Sequence, residues 1–222
     1  MSNITEQIRH KILLAKHRED QDHGLMMFLE QLPMALHKNI NLPREYPTVA
    51  LHKFMVDYIE LVPSIIDAAT QCARETSVFE HVGPFISVAN QFFMKPLSAL
   101  CHDPNSLLGM LDEAYLAHRL IEEANDHLME CIGYPLIPVE LTRSNIIVHG
   151  IIGEPYANEL DAIAESLSRQ MLALENVYHT EAFAQQVRRE KDSGHWDQVW
   201  SRWPCMMSSS DISLKLLYSR IN

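Results

Sequence analysis

SLLGMLDEAYLAHRLIEEANDHLMECI, residues 106–132, is the stretch on which the fold turns. Asp103-Pro104-Asn105 precedes it with turn and capping residues, and Gly133 followed by Pro135 closes it, so the chain signals both ends of a helix. Its apolar residues Leu107, Met110, Leu111, Ala114, Ala117, Ile121, Ala124, Leu128 and Met129 recur at three- and four-residue steps, the period of one helical face. Projected on that helix, His118 and Asn125 fall within the apolar face and Glu122 at its edge, while Glu123 and His127 fall on the far side. Leu116 and Leu120 lie off the stripe, which leaves a second buried face open.

The same period runs through the neighbouring segments. One helix is expected from about Ile4 to Leu32, carrying Ile8, Ile12, Ala15 and Met26. Glu19, His23 and Glu30 would share its inner face. After the loop Asn39-Ile40-Asn41-Leu42-Pro43, a long helix should open at Pro47, a good first-turn residue, and reach Glu75. Its stripe is Met55, Ile59, Val62, Ile66, Ala69 and Ala73, with His52 on the same face and Pro63 as a kink. Ser77–Leu100 is interrupted at Gly83-Pro84; further helices are expected over Val139–Ile151 and from about Ile152 to Tyr178. No alternating strand pattern and no repeat occurs. The expectation is an all-α, single-domain multi-helix bundle over residues 1–180. A tail over 181–222, with Trp196, Trp200 and Trp203, would pack on the bundle or on a partner.

Composition agrees. Glycine is scarce at 7 of 222 residues, as long helices require. The formal charge of −11, from 18 basic and 29 acidic side chains, speaks against nucleic acid. No uninterrupted apolar run is long enough to span a bilayer, and the polar start of the chain shows no secretory signal, so a cytoplasmic protein is expected. Cys72, Cys101, Cys131 and Cys205 are too far apart for a zinc or redox motif and read as reduced, buried apolar residues. Cys101-His102-Asp103 contains the His-Asp dipeptide of metal phosphohydrolases, but no second histidine pair accompanies it.

The twelve histidines stand out. Inward His and Glu on several helices must be paired, because an unpaired buried carboxylate is costly. Each imidazole hydrogen-bonded to a carboxylate is one solution. A shared centre of two iron or manganese ions, held by His and carboxylates from facing helices, is another. The paired Glu-x-x-His motifs of a ferritin-like four-helix bundle, the alternative fold, are absent.

Leu42-Pro43-Arg44-Glu45, followed by a long helix with Tyr58 and then Val62-Pro63, resembles the early region of the heme-oxygenase-like helical superfamily over about residues 25–85. That superfamily includes heme oxygenases, thiaminase-like and quinone-cofactor enzymes, and di-metal oxidases. In the last of these the ligands run Glu-x6-His, a lone Glu, then His-x3-Asp-x2-His. Glu75 with His81 is the nearest match to the first, one residue too close; Glu122 matches the second; His149 with Glu154 is nearest to the third, at a different spacing. The resemblance thus implies a non-heme di-metal oxidase or oxygenase acting on a small organic substrate. Its metal ligands would come from His118, Glu122, His81, His149, Glu75 and Glu154. Two other readings stay open: a non-catalytic helical protein that binds a protein partner, and a metal-free enzyme of the same fold in which buried Glu and His act as acid and base. A homodimer is compatible with all three.

Overall fold

The helix at the centre of the molecule is built as its sequence dictates. A computed structural model describes residues 2–32, 40–76, 78–95, 103–173, 181, 185, 188–189, 192–194 and 213–214. The Ser106 hydroxyl accepts from the Gly109 N–H at 3.0 Å and donates to the Asp103 carbonyl at 2.8 Å, tying the preceding turn to the first turn of the helix. The turn lies so close that a Cβ on Gly109 would sit 2.1 Å from the Asp103 oxygen, so only glycine fits there. At the other end Gly133 takes φ 77°, and its N–H bonds the Met129 carbonyl at 3.0 Å.

Around this helix the described residues place α1 (Ser2–Asp22), α2 (Gly24–Gln31), α3 (Pro47–Glu75), α4 (Phe79–Met94), α5 (Leu107–Ile132, the central helix), α6 (Thr142–Ile152) and α7 (Tyr156–Ala173). Two residues, Ile40–Asn41 (β1), pair antiparallel with Ser213–Leu214 (β2), Ile40 opposite Leu214. The architecture is an all-α bundle. α5 packs against all six other helices, which is why every residue from Leu107 to Asn125 is buried or half-buried. Leu116 and Leu120 are fully buried, closing the question of its second face, and Asp112 and Glu113 are buried with them. Met129, on the expected stripe, is 48% exposed near the end of the helix. Glu123 and His127, expected on the far side, are half-buried.

The α3 stripe is buried as expected, and Pro63 sits inside α3 without ending it. Likewise Gly83-Pro84 lies within α4 rather than interrupting it. The first expected helix is in fact two. His23 adopts a left-handed conformation (φ 53°), and the chain restarts at once as α2. Glu19, still in α1, supplies the new N-terminus: its Oε2 accepts from the Leu25 N–H at 2.8 Å and its Oε1 from the Met26 N–H at 2.9 Å, with His52 Nε2 3.1 Å away. The break turns His23 and Glu30 to the surface.

α6 starts later than its apolar pattern suggests. Asn125 of α5 binds both backbone groups of Ile137, accepting from its N–H at 3.1 Å and donating to its carbonyl at 3.2 Å, so Leu136–Leu141 serve as a pinned loop. Gly153 (φ 82°) ends α6, and α7 begins after Glu154-Pro155. Cys72 is buried and Cys131 exposed, the latter with Sγ 3.5 Å from His127 Nε2; the exposure of Cys131 departs from the buried reading, since it lies on the last turn of α5. Cys101, Cys205, His102, His179, the end of the expected helix at Tyr178 and the tryptophans of the tail lie outside the described residues. Among the described residues no helix is long and apolar enough to cross a membrane.

Candidate functional site

Three residues one helical turn apart on α5, Tyr115, Arg119 and Glu122, face the ends of α6 and α7. With Thr142, Asn145, Ile146 and His149 of α6 and Asp161 of α7 they line a cavity of about 350 Å³. The sharp reversal at Gly153 is what brings α7 alongside α6 and sets His149 against Asp161.

The polar groups form one connected network. His149 Nε2 lies 3.3 Å from Asp161 Oδ2 and 3.1 Å from Asn158 Oδ1. Asp161 Oδ1 accepts from the Tyr115 hydroxyl at 2.7 Å and from Arg119 Nε at 3.1 Å. The same guanidinium reaches Glu123 Oε1 at 3.0 Å through its second arm and Glu122 Oε2 through its first. Glu122 also accepts from the Thr142 hydroxyl at 2.5 Å and from Asn145 Nδ2 at 2.7 Å. Asn145 passes the network inward, because its Oδ1 accepts from the Tyr58 hydroxyl at 2.6 Å.

Electrostatics follow from burial. The phenols of Tyr58 and Tyr115 are pushed well above their usual range, first by burial and, for Tyr115, then by its bond to Asp161, so both remain donors. Burial works against the Arg119 charge, but Glu122 and Glu123 outweigh it and the guanidinium is held more firmly protonated than usual. Glu123 is pushed up by burial against the pull of Arg119. His118 packs behind Tyr58 and is buried with neither ring nitrogen hydrogen-bonded; burial drives it down to about 3, so it is neutral.

His149 is the side chain here best placed for proton transfer. Its Nε2 faces a carboxylate and an amide oxygen, both acceptors, so in the neutral ring Nε2 carries the hydrogen and Nδ1 keeps its lone pair. An imidazole whose tautomer is set by an anchored carboxylate is the usual arrangement of a general base.

Of the six residues expected as metal ligands, the structure brings Glu122 and His149 to this cavity and buries His118 just beyond it. His81 is buried on α4, Glu75 ends α3 and accepts from Gln71 Nε2 at 2.8 Å, and Glu154 is exposed in the turn before α7. Among the described residues no three His, Cys, Asp or Glu side chains converge as a metal set. Glu122 spends both oxygens on Thr142, Asn145 and Arg119, and His149 is turned to Asp161, so these two side chains do not converge on a common metal position.

The sequence reading missed Arg119, Tyr115, Asn145 and Asp161. The spacing Arg119-x-x-Glu122-Glu123 is a legible signal, since three- and four-residue steps make helical ion pairs. Asp161 offers none, because Arg119 and Tyr115 are 42 and 46 residues away and His149 meets it only through the reversal at Gly153. No protein-family model, curated protein or solved structure gives a significant match to this chain.

Proposed function

We propose that this chain is a metal-free acid–base enzyme on a heme-oxygenase-like bundle, in which His149 moves a proton of a small polar organic substrate bound among α5, α6 and α7. The observation that carries this reading is the pairing of His149 Nε2 with Asp161 at 3.3 Å beside a cavity of about 350 Å³. Asp161 is itself held by Tyr115 and Arg119, so the base is oriented by a carboxylate that does not need to move. Glu122, Thr142 and Asn145 line the same cavity and orient the bound molecule. Glu122, Glu123 and Asp161 surround Arg119, an excess of negative charge that favours a neutral or cationic substrate over an anion. The Leu42-Pro43 turn before α3 and Pro63 within it support the fold assignment.

The test is substrate consumption by protein stripped with chelator, incubated with neutral and cationic polar metabolites and followed by mass spectrometry. At least one compound should be consumed without added metal, and His149→Gln should slow that consumption by about 100-fold or more, the usual worth of a general base. Consumption indifferent to His149→Gln overturns the reading.

One feature favours a second reading, the iron or manganese oxidase. His118 is buried with two unpartnered nitrogens, one helical turn from Glu122. Consumption that requires ferrous iron and dioxygen, with about two metal ions retained per chain, would favour it over the metal-free enzyme.

A further inference from the structure

α1 contains RHKILLAKHR, residues 9–18, which reads the same in both directions except at Ile12 and Ala15. Those two, with Ile8, pack into the bundle. At 100° per residue His10 and His17 point almost directly away from them, with Leu13 and Leu14 to either side of that line. All four are exposed, Leu13 by 50% and Leu14 by 54%, so α1 presents an outward apolar pair bracketed by two imidazoles. The cations of the same stretch are turned back onto their own chain. Arg9 binds Asp67 at 2.5 Å, Lys11 the Phe93 carbonyl at 3.0 Å, Lys16 Glu60 at 2.5 Å and Arg18 Asp103 at 2.7 Å. Held there, they do not oppose the approach of a second copy to the outward strip.

A helix face that reads the same both ways matches itself when a second copy lies antiparallel across it on a two-fold axis. With that axis between Leu13 and Leu14, Leu13 meets the partner's Leu14, and His10 meets the partner's His17, once at each end. The strip is about 30 Å long and 10 Å wide, or roughly 300 Å² a side. A stable pair needs about 800 Å² a side, so leucine contact alone does not hold it. The imidazoles supply what is missing. Within one chain His10 and His17 are seven residues apart, about 10 Å along the axis, too far to share an ion. Across the two-fold they come face to face. Glu6, one turn before His10, is 75% exposed and holds Arg9 only at 3.5 Å, so its carboxylate can turn to the same ion. Two imidazoles and a carboxylate make an N/O donor set suited to zinc. We propose that two copies of this chain pair antiparallel along α1 and hold a zinc ion at each end of the contact, bound by Glu6, His10 and the partner's His17. Among the described residues no single chain assembles such a set, so the site is incomplete without the second copy. It shares no residue with the His149 cavity and stands or falls independently of the proposed activity.

The test is the mass of the full-length protein in solution, measured by light scattering with zinc chloride and with chelator. Zinc should give a dimer that retains about one ion per chain, and chelator should return it to monomer. His10→Ala and His17→Ala alter exposed side chains and leave the fold intact, yet each removes a ligand from both sites and should abolish the zinc-dependent dimer. An equimolar mixture of the two variants should dimerise again with about one zinc per pair, because His10 of one variant then faces His17 of the other. A mass that ignores zinc and chelator overturns the proposal, as does zinc taken up without a change of mass. So does wild-type dimerisation of either variant alone, or a mixture that stays monomeric.

Discussion

His118 and Tyr58 lie ring against ring, their centroids 4.1 Å apart, and the imidazole has no hydrogen bond at either nitrogen. This histidine is therefore held as an apolar filler with two polar atoms, neutral because burial brings it down to about 3. Its folded value lies below the ordinary one near 6.5, so its contribution to stability is complete above that pH and is lost as pH falls towards 3. His118→Phe removes this proton uptake. Relative to wild type it should gain about 3 kcal/mol between pH 7 and pH 4, read by urea unfolding at both pH values. A constant difference between the two proteins would show that the imidazole is hydrated or paired.

Glu113 titrates in the opposite sense. Both its oxygens are buried with no partner from another residue, and burial, opposed in part by its own backbone N–H and then by Lys11, raises it to about 7. A carboxyl raised in the folded state favours the protonated form, so stability is full below its ordinary value near 4.5 and declines as pH rises through 7. Glu113→Gln should match wild type near pH 4 and exceed it by up to about 3 kcal/mol at pH 8. Because the windows of Glu113 and His118 overlap with opposite signs, the wild-type profile should be flatter than either variant's. An equal offset at both pH values contradicts the assignment.

Glu19 joins α1 to α2 by capping the second helix from within the first. Glu19→Ala should cost about 1–2 kcal/mol, the usual worth of a cap, and should speed hydrogen exchange at the Leu25 and Met26 amides specifically. Uniform acceleration throughout the bundle, with no excess at those two amides, would mean that the carboxylate matters only to packing.

Asn145 is the hinge between the inner and outer parts of the polar network, donating to Glu122 and accepting from Tyr58. Asn145→Leu strands the Tyr58 hydroxyl, while Glu122 keeps Thr142 and Arg119, and the loss should be about 1–3 kcal/mol. Tyr58→Phe in the Asn145→Leu background should then cost less than it does alone, a coupling that a double-mutant cycle measures. Strict additivity would show that the two residues do not share a bond.

The apolar helical period was enough to place α3, α5 and the inward side of His118, because burial of a face is a local property of spacing. Glu113 escaped that logic: α5 touches every other helix, so positions off its stripe are buried too, and only tertiary packing decides this. The break at His23 was missed although residues 16–24, KHREDQDHG, hold no apolar side chain and end in glycine, because the Glu19 side chain that makes the break looks like any helical glutamate. The cavity was legible only in part. Glu122 and His149 stood out as residue types, but their partners depend on the reversal at Gly153 and on the Asn125 bridge to Ile137, which no spacing announces. The partner-binding alternative leaned on Trp196, Trp200 and Trp203, which lie outside the described residues.

The central claim is that Asp161 fixes the His149 imidazole with Nδ1 free to take a proton. Nitrogen-15 NMR of histidine-labelled protein at a pH where the ring is neutral measures this directly, since the two ring nitrogens of each tautomer resonate apart. Wild type should show His149 as the Nε2–H tautomer, with Nδ1 carrying the lone-pair shift, and Asp161→Asn should shift the ring towards a mixture of tautomers. A wild-type ring protonated on Nδ1, or a ring unchanged by Asp161→Asn, would contradict the assignment of His149 as the base.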